Sequence, residues 1–118
     1  MSAATVVVVL GDVPSERIPL SDLAGKFGWS IERVEDLNQL RDLTARRRVA
    51  SVLCRAQAWE LRDVLDAAPR ARVIVCHEFS DEVVWPRLAA AGAFHSLHLP
   101  FRMEEVRQSL GFVWAAAA

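Results

Sequence analysis

The run VVVVL, Val6 to Leu10, constrains the fold more than any other stretch of the chain. Consecutive β-branched side chains are stiff at χ1 and favour extended backbone. A strand with one wet face alternates apolar and polar residues, whereas an unbroken apolar run marks a strand covered on both faces. The run VIVC, Val73 to Cys76, has the same character. Strands of this kind belong to parallel sheets, which need crossover connections, so helices are expected between them.

Five strand candidates follow, at Thr5–Leu10, Trp29–Val34, Val49–Cys54, Arg72–Cys76 and His95–Leu99. Between and after them lie apolar residues at helical spacing: Leu20, Leu23, Ala24 and Phe27; Leu37, Leu40 and Leu43; Trp59, Leu61, Val64, Leu65 and Ala68; Leu88 and Ala91; Met103, Val106, Leu110 and Val113. Ser15, Ser21, Asp36 and Ser80 stand at N-cap positions, and Gly28 and Gly92 fall where a left-handed C-terminal residue is wanted. Pro69 closes a helix, Pro19 suits a first turn, and Pro86 places the start of the fourth helix near Trp85. Strand and helix thus alternate five times. The expected architecture is α/β: a flavodoxin-like three-layer sandwich with a five-stranded parallel sheet in the order 2-1-3-4-5, helices on both faces, and a ligand crevice at the carboxyl ends of the strands.

The 118 residues suit a single domain, 1–118, and an apolar fraction of 53% excludes a largely disordered chain. Fourteen basic and fifteen acidic residues leave a net charge of −1, so direct nucleic-acid binding is not expected. The longest apolar run is far below the ~20 residues of a membrane span, and no cleavable leader pattern opens the chain. No membrane partner is expected, and the location is read as cytoplasmic. Cys54 and Cys76 sit in apolar runs, where reduced thiols simply pack.

The stretch Val73–Phe101, VIVCHEFSDEVVWPRLAAAGAFHSLHLPF, resembles the second half of the receiver domain of two-component response regulators. Ala91, Gly92 and Ala93 supply that family's turn before the fifth strand, and Leu99, Pro100 and Phe101 its closing triplet. The opening VVVVLGDVPSER is similar to the receiver's first strand, acidic cluster and start of the first helix. The resemblance implies a module that moves a phosphoryl group onto an aspartate at the end of its third strand, helped by magnesium held between carboxylates.

The residues at those positions do not suit that chemistry. Leu10 and Gly11 stand where the acidic pair belongs, and only Asp12 follows. The third strand ends in Cys54 and Arg55, neither of which can form an aspartyl phosphate. His77 replaces the phosphate-sensing hydroxyl, Ser96 the aromatic switch residue and Leu99 the lysine. The one lysine of the chain, Lys26, lies on the first predicted helix. The resemblance therefore implies a degenerate receiver that is not phosphorylated, is not an enzyme and needs no cofactor or metal.

By position, the face made by the fourth helix, fifth strand and fifth helix carries output contacts in receivers. Here it comprises Arg87, Ala90, Ala91, His98, Arg102, Glu105 and Gln108, with Trp85 and Trp114 as apolar anchors. The expected partner is a signalling protein, an attached output domain or a second copy forming a homodimer through this face. Two further readings stand beside this one. The chain could be the amino-terminal control domain of a longer DNA-binding activator. Alternatively, the vacated crevice, with Cys54, Arg55 and His77, could sense a small ligand, a metal or redox state, although no CxxC or HxxxH spacing supports the last two. Arg46, Arg47 and Arg48 form a basic run whose plain role is to complement a helix C-terminus.

Overall fold

The computed structural model describes residues 5–11, 13, 25–26, 28–56, 58–78, 85–99 and 103–117. The elements are β1 (Val6–Leu10), β2 (Ser30–Val34), α1 (Leu37–Arg46), β3 (Val49–Arg55), α2 (Leu61–Ala67), β4 (Arg72–His77), α3 (Trp85–Ala91), β5 (His95–His98) and α4 (Met103–Ala117). The strands form one five-stranded sheet in the order β2-β1-β3-β4-β5, and every neighbouring pair is parallel. Each expected strand is present to within a residue at either end. The first predicted helix, Leu20–Phe27, and the proposed caps Ser15, Ser21 and Ser80 lie outside the described residues, as does Pro19.

The continuous apolar runs serve both faces of the sheet, as their lack of alternation requires. Val6, Val8 and Leu10 join Val52, Cys54, Val73 and Val75 in one buried cluster, covered by Leu40 and Leu43 of α1 and Val64 of α2. Val7 and Val9 join Leu53, Ile74, Cys76 and Leu97 in a second, covered by Val106, Leu110 and Val113 of α4. Burying each such side chain contributes roughly 1.5–3 kcal/mol, so β1 anchors both layers at once.

Local signals hold at the element ends. The Asp36 carboxylate accepts from the Gln39 N–H at 2.8 Å and caps α1. Gly92, after α3, adopts φ of +112°, and a Cβ there would come within 2.9 Å of Leu65, so the turn into β5 requires glycine twice over. Pro86 sits in the first turn of α3, where its missing N–H leaves no helical bond unmade. One expectation needs correction: Trp59 matches the helical period of α2 but precedes that helix, which begins at Leu61. Its indole instead turns back over the end of β1.

Candidate functional site at the carboxyl edge of the sheet

Parallel strands bring their carboxyl ends to one edge. The register sets Leu10 beside Cys54, Arg55 beside Cys76, and His77 beside His98. The ladders continue past the strands through Gly11 N–H to the Val34 carbonyl at 2.8 Å, Ala56 N–H to Cys76 at 2.7 Å, and Leu99 N–H to His77 at 2.7 Å. This is the edge on which a receiver assembles its phosphorylation site.

The side chains there are of a different kind. Leu10 is fully buried in the first cluster, and Leu99 is buried in the second, so the sheet itself separates them. Gly11 takes φ of +69°, and a Cβ on it would lie 3.1 Å from the Trp59 indole. The ring therefore rests against the backbone at the place where an acidic pair would hold a cation. Asp12 lies outside the described residues. At the tip of β3, Arg55 reaches Glu78 at 3.4 Å, so the end of the central strand presents a guanidinium already engaged with a carboxylate.

The two cysteines point to opposite faces of the sheet, one in each buried cluster, and both are free thiols. Burial pushes the Cys54 thiol up to about 12, and burial together with Cys54 raises Cys76 as well. A thiol held protonated at neutral pH is a poor nucleophile and a poor metal ligand. Among the described residues, no group of three or more His, Cys, Asp and Glu side chains is disposed to hold a metal ion.

The neighbouring face is better assembled. His77 and His98 meet edge to face with ring centroids 5.5 Å apart. Both line a cavity of about 230 Å³ that also receives Glu105 and Gln108 of α4. Beside it, the His95 ring lies between Trp85, at 6.2 Å, and Phe112, at 6.1 Å, each in an edge-to-face contact. Trp85 and Phe112 remain 39% and 53% exposed, giving an aromatic patch across α3, β5 and α4. Arg87, Ala90 and Ala91 are exposed on α3, and Arg102 lies outside the described residues.

Trp114, 49% exposed, belongs elsewhere: it lines a cavity with Thr5 and Trp29 at the opposite edge of the sheet. Phe112 takes the anchor position instead, and the reading of the sequence missed it along with His95. The signal was present, because Phe112 follows Glu105 by seven residues and Gln108 by four, on one helical stripe, whereas Trp114 is two residues further and so turned roughly 200° away.

Fold and edge together define a receiver-like α/β domain. No family model matches the sequence, and no curated protein matches it either. Solved structures do match the fold. A response regulator from Thermotoga maritima superposes with a TM-score of 0.76 at 15% identity, over 95% of this chain and 98% of the other. A response regulator receiver protein from Burkholderia phymatum gives 0.70 at 20% identity, over 94% and 95%. NtrX from Brucella abortus gives 0.72 at 14% identity, over 98% of this chain but 27% of the longer protein. The flavodoxin-like fold is thereby that of response-regulator receiver domains.

Proposed function

We propose that the chain is a receiver-type regulatory module, in cytoplasmic signal transduction or transcription control, that acts through protein contacts without forming an aspartyl phosphate. Arg55 carries the reading. It stands at the tip of the strand where the acceptor carboxylate of a receiver belongs, paired with Glu78. A guanidinium cannot accept a phosphoryl group in place of an aspartate, and a cation at that position disfavours magnesium. The Trp59 indole against Gly11 and the buried Leu10 agree with it.

Communication then falls to the α3–β5–α4 face, where exposed Trp85 and Phe112 flank His95. Large, half-exposed aromatic side chains are the usual anchors of protein interfaces. The partner in this reading is a second copy, a signalling protein or an attached output domain. The last is favoured by the match to NtrX, in which the matching portion is 27% of a longer chain.

Amide spectra recorded with magnesium, then with acetyl phosphate or beryllofluoride, test the first half. They are expected to stay unchanged, and magnesium to leave the melting temperature where it was; a saturable magnesium-dependent shift around Gly11 would overturn the reading. Light scattering across a concentration series tests the second half. Trp85→Ala combined with Phe112→Ala should abolish any self-association, and a double variant that associates as the parent does would remove this face from consideration.

A further inference from the structure

The opposite edge of the sheet, at the amino ends of the strands, carries chemistry that the receiver reading leaves unused. Two cavities of about 660 and 290 Å³ open there. They share Arg48, Val49 and Arg70 and so adjoin. Arg47 lines the larger, Arg72, Trp29 and Trp114 the smaller, and among the described residues no Asp or Glu lines either.

Helix C-termini also gather at this edge, and cations near them complement the macrodipole. That explains Arg46, whose Nε donates to the Asp42 carbonyl at 3.3 Å. Arg47 is held by Glu32 and by Ser30, and Arg72 stacks over the Phe94 ring at 5.6 Å. Arg48 and Arg70 are different, since among the described residues neither guanidinium has an ion pair or side-chain hydrogen bond. The two unengaged cations are the two that border both cavities. Like charges converging on open space without a carboxylate between them favour an anion, and guanidinium forks match phosphate oxygens. Trp29 and Trp114 line the smaller cavity beside them, and indoles suit a planar ring.

We propose that this edge binds a nucleoside polyphosphate, with Arg48 and Arg70 on the phosphates and Trp29 and Trp114 against the base. The inference is independent of the receiver reading, because none of these residues belongs to the carboxyl edge or to the α3–β5–α4 face. The two cavities together lie near the upper end of the ordinary range for small-molecule sites, a size compatible with a mononucleotide.

Calorimetric titration of the full chain with ATP and, separately, with inorganic tripolyphosphate tests it, with tryptophan emission read in parallel. One ATP per chain is expected to bind saturably and quench emission, and tripolyphosphate to bind about tenfold more weakly. R48E/R70E, whose side chains are exposed, should weaken ATP at least about tenfold with unchanged circular dichroism. W114A should weaken ATP while leaving tripolyphosphate alone, and R62E, in the first turn of α2, should change neither. Absence of saturable ATP binding, tripolyphosphate binding as tight as ATP, or an R48E/R70E protein that binds like the parent would each overturn the proposal.

Discussion

The two edges of the sheet are built on opposite plans. Among the described residues the carboxyl edge is engaged side chain by side chain: Leu10 and Leu99 are buried, Trp59 covers Gly11, and Arg55 is held by Glu78. At the amino edge the space is open, and Arg48 and Arg70 border it with no carboxylate among the described lining residues. A filled edge contributes to stability, and an open edge lined by unengaged charge contributes little. The contrast teaches that the two edges of one parallel sheet can differ in how their described side chains are engaged.

The strongest challenge to this contrast is to put an acid back. Leu10→Asp places a carboxylate in a fully buried position within an apolar cluster. The expected loss is ~4 kcal/mol of unfolding free energy, measured by urea denaturation at neutral pH. A variant as stable as the parent, or one rescued by magnesium, would mean that the carboxyl edge is still a metal site.

Alkaline titration probes the same edge from the thiol side. Cys54 rises from an ordinary 9.0 to about 12 in the folded chain, so the folded state keeps a proton that the unfolded state has lost. Stability is therefore complete below pH 9 and declines as pH rises toward 12, by up to ~1.4 kcal/mol per pH unit for one thiol. The chain has no tyrosine and one lysine, which leaves the cysteines to dominate that window. Replacing Cys54 by Val should flatten the decline in urea midpoints.

Gly11→Ala tests the indole cover. It combines a left-handed backbone with a Cβ 3.1 Å from the Trp59 ring, and an expected loss of ~2 kcal/mol should accompany a red shift of tryptophan emission as the ring is pushed out. Unchanged emission would mean that the indole does not depend on that contact.

The smallest effects compare the two edges directly. Arg55 and Glu78 are 34% and 45% exposed, so Arg55→Ala should cost about 0.5 kcal/mol. Arg48→Ala should change stability by less still, within the ~0.5 kcal/mol scatter of surface substitutions. A larger loss at Arg48 would assign the amino edge a structural role and erase the contrast.

Much of this was readable without coordinates. Consecutive valines gave away β1 because no half-exposed strand tolerates them, and Asp36 and Gly92 marked helix ends through local backbone needs that act over a few residues. The residues at the carboxyl ends of the strands were equally legible, since strand ends can be counted along the chain. Trp59 was not, because its spacing fits α2 and only the turn of the loop over β1 takes it out of that period. Trp114 was drawn to the wrong edge because exposure was weighed and helical angle was not.

Periodicity and punctuation are short-range properties, so the order of letters alone determined the strands, the described helices and the parallel sheet. Contacts between residues far apart in sequence follow from how crossovers stack. The tertiary structure alone decided that Trp59 meets Gly11, that His95 lies between Trp85 and Phe112, and that Arg48 and Arg70 border one open space. Each of those depends on distances set by the whole packed sheet, which no local window contains.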